Sequence, residues 1–492
     1  MLRPLPLVLS LILAASGATS APAQQWRIEN LSVARQSFAT VAIDNLVLFA
    51  GGRVGNAIMD DVDIYDTTTC QWAKIYLPVP RTNLSATTVG QYVLFAGGFQ
   101  SGFVVSNVVD ILDTVTMNWT QVNLSQARAS VGMTTVGNKV LVAGGAGQGW
   151  VSNRVDVYDA TLGPPDNQAA WSIGTPLSLM RSHTSAVTVG HHAIFAGGAG
   201  VGGTPFADVD IYDCLNNVWM QDMLSVARVL GNGATVVGNR AYFAGGHFSQ
   251  GGGPNMSDAL DVYDVPGGFL PATVLPSGPR GYLGVTAMGD MVLLAGGVNT
   301  GFVKSNLIET LNVCTGQWGF LQNLSQPGSS DATVCADMAF FADNGTTVVE
   351  VYEALGTSFC DAVANSSGNP ATISVSGSSS VAANDLTLTA CQLPPNQFGY
   401  FLNSTTPGFI PNPGGSQGNL CLGGAIGRYT QNVFGSGAAG TGSLLLDLPN
   451  TPTPTGSVAI LAGSTWSFQC WYRDINPGPT SNFTDAVTVT FQ

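Results

Sequence analysis

The chain has 492 residues, long for one domain, and only 9% are charged against 45% apolar and 9% aromatic. That balance excludes a disordered chain, and three lysines beside 61 glycines argue against a helical one, whose wet faces are usually built from Lys, Glu and Arg. A formal net charge of −14 argues against nucleic-acid binding, which needs a basic footprint.

The first element is an export signal. Arg3 supplies a positive start, Leu5 to Ala15 is a short apolar run, and Ala21-Pro22-Ala23 is a small-residue cleavage site before Gln24. Residues 1–23 are therefore expected to leave a secreted chain, extracellular or periplasmic, after cleavage near Ala23. The apolar run is too short to cross a bilayer, and no later apolar run is long enough, so no membrane span is expected. No cysteine closely follows the run, which disfavours a lipid anchor.

From Trp26 a unit of about 48 residues recurs. In its first copy Arg35 precedes an apolar strand, Ser37 to Ile43. A turn at Asp44-Asn45 leads to "LVLFAGG", a variable loop, "DVDIYD", another turn, and a last strand with Trp72. Glycine pairs recur at Gly51-Gly52, Gly97-Gly98, Gly144-Gly145, Gly197-Gly198, Gly245-Gly246 and Gly296-Gly297. Arginines recur at Arg35, Arg81, Arg128, Arg181, Arg228 and Arg280. Four strands per unit is the pattern of a propeller blade. The repeated residues have structural readings: glycines for close backbone approach, Trp for filling between blades, Asp63 and Asp66 for capping a turn.

These units resemble kelch repeats, with an apolar strand ending in Gly-Gly, then a Tyr, then a Trp. The resemblance covers roughly Trp26 to Tyr352 and implies an all-β kelch-type β-propeller. A seventh unit, "MAFFADN" from Met338 to Asn344, lacks the glycines, and no Trp strand follows Tyr352. The orphan "WRIENL" from Trp26 supplies that strand, so seven blades are expected, closed by the N-terminal strand; six is the alternative.

After Tyr352 the repeat stops. Alternating stretches such as "LTLTACQL", "GSLLLDL" and "DAVTVTF" read as strands of a small β-sandwich over 357–492, leaving the propeller at 24–356. The stretches "NSSGNPATISVSGS", "LPPNQFGYF", "NLCLGGAIGR" and "GSTWSFQCWYRD" resemble a C-terminal module of many exported bacterial proteins. "GSTW" is similar to a sialidase Asp-box without its Asp. The N-x-S/T sites, such as Asn30 and Asn83, arise from the repeat. Export favours disulfides, and no C-x-x-C pair suggests zinc. Among the module's cysteines, Cys391–Cys470 and Cys360–Cys421 are the first choice of three possible pairings.

Variable loops such as "HFSQGGGPNMSDA" join the second and third strands on one face, and variable loops on a rigid scaffold usually carry function. That face holds Arg53, Phe99, Trp150, Arg154, His183, His247 and Phe248. The positions two residues after each Arg (Ser37, Asn83, Ser130, His183, Leu230, Tyr282) differ between units while the arginines do not. Arg181, His183, Arg280, Tyr282, His247, Arg53 and Trp150 are thus the candidate ligand-binding residues. Some kelch propellers with a β-sandwich resemble copper radical oxidases, which take one His from the C-terminal domain; here that domain has none. No catalytic residue, metal or cofactor is assigned. The expectation is a non-catalytic secreted protein that recognises a glycan or a protein. The alternative is a carbohydrate-active enzyme (isomerase, lyase or oxidase-like) using the same face.

Overall fold

The computed structural model describes residues 26–249, 254–265, 267–328, 330–475 and 478–492. The expected signal peptide lies outside them. The described residues are strands, turns and short 3-10 segments.

The first sheet is antiparallel, in the order Ala39–Ile43, Leu46–Ala50, Asp61–Asp66 and Gln71–Tyr76. The same order recurs over 85–123, 132–173, 185–223, 234–274 and 284–320. In the fifth sheet the outer strand is broken into Gly268–Phe269 and Thr273–Val274. The seventh four-stranded sheet joins Ser330–Cys335, Met338–Asp343 and Val348–Glu353 to Trp26–Asn30. Trp26 lies opposite Tyr352, with ring centroids 4.8 Å apart. The innermost strands neighbour one another in a closed circle, Ala39–Ile43 touching both Ser85–Val89 and Ser330–Cys335.

Packing explains the strand sequences. The second strand of each sheet is covered on both faces by adjacent sheets, so it is continuously apolar rather than alternating: Val47, Leu48, Phe49 and Ala50 are all 0% exposed. The cores lie between sheets. One joins Leu48, Val62 and Ile64 of the first sheet to Val93, Phe95 and Trp119 of the second. Burying each such side chain contributes about 1.5–3 kcal/mol.

The repeated glycines and arginines form one device. The first glycine of each pair has φ near +65°, as at Gly51 (φ 69°). A Cβ there would strike the carbonyl oxygen of the next sheet's arginine, Arg81 for Gly51 and Arg128 for Gly97. The second glycine donates to that same oxygen, Gly52 to Arg81 at 2.8 Å and Gly98 to Arg128 at 2.9 Å. The arginine's guanidinium turns into its own sheet. Arg35 meets Asp63 at 2.6 Å and the Phe49 carbonyl at 2.8 Å. Arg81–Asp110, Arg128–Asp156, Arg181–Asp210, Arg228–Asp261 and Arg280–Glu309 repeat the pair. Asp63 therefore holds an arginine rather than a turn. Asp66 does cap its turn, accepting from the N–H of Thr68 and Thr69.

Residues from 357 onward form a six-stranded and a three-stranded sheet around a shared core that includes Leu388, Phe401, Phe468, Tyr472 and Val487. Only residues 354–356 separate Val348–Glu353 from the next strand, Thr357–Phe359. This unit meets the ring on the side of the short turns. There the Thr372 hydroxyl donates to Asp290 at 2.8 Å and the Asn239 amide to Asn369. A disulfide between Cys314 of the sixth sheet and Cys391 crosses the seam, with Cα atoms 5.6 Å apart. The expected Cys391–Cys470 bond is thus corrected. Cys391 ends a strand facing the ring, whereas Cys470 is 0% exposed inside the C-terminal core with a free thiol. Cys360 and Cys421 are bonded.

Two outcomes are expected. Removing residues 26–31 unpairs the Val348–Glu353 edge of the seventh sheet and should cause aggregation or a large fall in melting temperature. A deletion variant melting like the parent would contradict the closure. Thiol titration of the denatured, unreduced protein should find Cys70, Cys214, Cys335 and Cys470 reactive, and the other four only after reduction.

Candidate functional site at the channel mouth

On the side away from the C-terminal unit, a cavity of about 360 Å³ opens into the ring. It is lined by the residue two after each arginine: Ser37, Asn83, Ser130, His183, Leu230 and Tyr282. Five of these six have a left-handed backbone, with φ of 58° at Ser37, 53° at Asn83, 52° at Ser130, 54° at His183 and 57° at Tyr282. Such a conformation costs a side-chain-bearing residue about 1 kcal/mol or more. What holds it is a belt of backbone hydrogen bonds round the mouth. The N–H of Asn83 donates to the Ser37 carbonyl at 3.0 Å, Ser130 to Asn83 at 3.1 Å and His183 to Ser130 at 3.0 Å.

Beyond His183 the lining changes character. His247 stacks on Tyr282, centroids 4.6 Å apart, with its Nε2 3.4 Å from the Tyr282 hydroxyl. Tyr282 is 50% exposed and offers its ring to the cavity. The protein walls desolvate both imidazoles and push their pKa values below the ordinary range, and His183 adds to the effect at His247. Both are therefore neutral at pH 7, each with one donor and one acceptor nitrogen. Burial also raises the Tyr282 phenol.

The remaining polar wall comes from the unit that lost its glycines. At the start of the innermost strand the other sheets place Ala39, Ser85, Gly132, Ser185, Gly233 and Gly284; the seventh places Asp331. Asn344 stands where a second glycine would be. Its amide donates to Asp331 at 2.9 Å while its oxygen accepts the Ser37 N–H at 2.9 Å, tying the seventh sheet to the first. The Asn232 amide donates to the other Asp331 oxygen. Desolvation nonetheless pushes the Asp331 carboxyl up to about 6. Asp331, Asn232 and Asn344 were not foreseen; for Asn344 the signal was the loss of glycine in "MAFFADN", which read as decay rather than as a side chain added to the channel.

Several sequence candidates lie elsewhere. Arg181 and Arg280, expected at the site, are 0% and 2% exposed with their guanidinium groups spent on Asp210, Glu309 and backbone carbonyls, so they position the mouth without reaching a ligand. Arg53 and Trp150 belong to short outer hairpins and do not line the cavity. Trp150 instead covers Gly147. Phe99, Arg154 and Phe248 also lie outside the lining.

Residues 34–75 match the family model described as the Kelch motif. The later kelch-like units repeat its Gly-Gly and Arg contacts, in keeping with a kelch-type β-propeller. A solved structure titled "Structure of YjhT" is 15% identical and covers 60% of this chain and 99% of that chain, with a TM-score of 0.48. Among curated proteins none matches.

The cavity can offer hydroxyl, amide and imidazole groups beside one aromatic face, and a carboxyl that titrates near neutrality. Because the Asp331 pKa is raised above the unfolded value of about 3.9, the folded state holds more protons. The contribution of Asp331 to stability thus falls as pH rises from about 4 to about 6 and is flat above. Asp331→Asn, which does not titrate, should match the parent near pH 4 and exceed it by about 2 kcal/mol at pH 8, read by denaturant melts. A gap independent of pH would contradict the raised carboxyl.

Proposed function

We propose that this chain is a secreted seven-bladed kelch propeller with a C-terminal β-sandwich, which binds a glycan at the channel mouth without turning it over. The observation that carries this reading is the cavity itself. One structural position, presented six times by the repeat, carries six side chains of five different kinds, and the seventh unit adds Asp331 and Asn344. Repetition would serve architecture; variation at a fixed, strained position serves an asymmetric ligand. Tyr282 stacked on His247 suits the C–H face of a sugar ring, and Ser37, Asn83, Ser130 and Asn232 suit its hydroxyls. The kelch propeller fold favours a binding role, and the C-terminal unit leaves this face open.

A second reading rests on Asp331. A carboxyl with a pKa of about 6, on the same cavity as His183 and His247, has the make-up of an acid–base pair for a carbohydrate-active enzyme. A turnover screen on the sugar that binds separates the two, since catalysis would vanish in Asp331→Asn while binding survived.

A glycan array should return a ligand, and calorimetry with it should show His183→Ala and Tyr282→Ala each weakening affinity about tenfold or more, with melting temperatures within about 2 °C of the parent. Unchanged affinity in both variants would place the site elsewhere.

A further inference from the structure

On the opposite face, the turns of the fourth sheet bring His191, His192 and Asp213 together. We propose that these three side chains form a binding site for a divalent transition metal of zinc's character. The ring nitrogens Nε2 of His191 and His192 lie 3.8 and 3.9 Å from the same oxygen, Asp213 Oδ2. The three ligand atoms are all within 4.8 Å of one another.

The neighbouring sheets show why this is not an ordinary capped turn. The Asp that caps the turn after the third strand recurs, and each time a donor from the adjacent turn reaches it directly. Asn45 donates to Asp66 at 2.8 Å and Gln91 to Asp113 at 3.0 Å. Lys139 and Arg240 pair with Asp159 and Asp264 at 2.5 and 3.0 Å. In the fourth sheet both donor positions are histidine, and both imidazoles stand off by almost an ångström more, beyond hydrogen-bond distance. A gap of that size between two nitrogens and a carboxylate is close to what a metal fills. Bonds of about 2.0–2.2 Å in tetrahedral geometry set ligand atoms roughly 3.3–3.5 Å apart, a few tenths of an ångström from the spacing here.

The supports are also those of a ligand set. Asp213 is held by the N–H groups of Leu215 and Asn216 at 2.9 and 3.1 Å and by the Asn216 amide at 2.7 Å. Nδ1 of His192 is engaged by the Tyr263 hydroxyl of the fifth sheet at 3.2 Å, which leaves Nε2 for the metal, the orientation that metal-ligating histidines take from an outer partner. The His192 ring is buried, so its orientation is held by the surrounding protein. His191 is partly exposed, leaving the remaining coordination positions to water.

The test uses the full chain carrying Cys70→Ser, to remove the exposed thiol, stripped with chelator and titrated with zinc chloride in a calorimeter. One equivalent should bind. His191→Ala, His192→Ala and Asp213→Asn should each weaken binding about tenfold or more. His183→Ala, at the channel mouth, should leave it unchanged. His191 lies at the surface of a turn, so its variant folds whatever becomes of the other two. No heat up to millimolar zinc, or one equivalent still bound with parental affinity by His191→Ala and Asp213→Asn, would overturn the site.

Discussion

The ring depends on one contact, the arginine shared between consecutive sheets. Its carbonyl oxygen is held by the glycine of the sheet before, and its guanidinium is held by a carboxylate of its own sheet. A buried charge is costly unless paired, so the carboxylate at the head of the third strand is required wherever the arginine is; losing one partner of such a pair costs about 3–5 kcal/mol. The glycine is required because no side chain fits against the carbonyl. Register, spacing between sheets and the direction of the next residues all follow from this joint. The residue two positions on is thereby delivered to the channel mouth, in five of the six sheets with a left-handed backbone.

The seventh unit shows what happens when the joint is absent. It has no arginine; Gly328 offers the carbonyl, to Gly297, and Glu350 holds the N–H and hydroxyl of Ser325 instead of a guanidinium. It places Asp343 and Asn344 where the other sheets have glycine, and Gly345, one residue on, donates to the Arg35 carbonyl at 3.0 Å in their stead. Asn344 joins Asp331 and Asn232 in the polar wall of the cavity. Architecture is strict in six sheets and relaxed in the seventh, and among the described residues the relaxed one carries the only carboxylate on the cavity lining.

Much of this was legible in the sequence because repetition amplifies weak signals. A single "VLFAGG" says little, but six glycine pairs at matching spacing fix four strands per unit, and the difference between Ser37, Asn83, His183 and Tyr282 beside constant arginines marked the mouth. The arginines themselves misled. Their constancy beside variable residues suggested a shared site, whereas constancy reflected their burial. Asp331 was invisible because its role comes from a register that only the folded ring defines. Cys314 was missed as a partner of Cys391 because it lies in another unit, 77 positions away, and sequence distance carries no information about docking. At the seam they staple, Asp485 is half-buried near Asp290 and Asp337; desolvation pushes its carboxyl up to about 7 and raises the other two. These groups hold extra protons in the folded state, so the seam loses stability as pH rises from about 4 to about 7.

The strand Trp26–Asn30 precedes its partner Val348–Glu353 by more than 300 residues; Arg27 and Glu353, 3.0 Å apart in the fold, are separated by 326 positions. A ribosome makes that strand before the rest of the ring and its docking edge after six other sheets. During synthesis it must wait, unpaired, while six other sheets assemble. Its own residues suit the wait: Arg27 and Glu29 alternate with Ile28, so the segment carries charge along its length and resists pairing with a stranger. The ring therefore closes by the meeting of its earliest and latest strands, and contacts so distant in sequence are those that slow folding most.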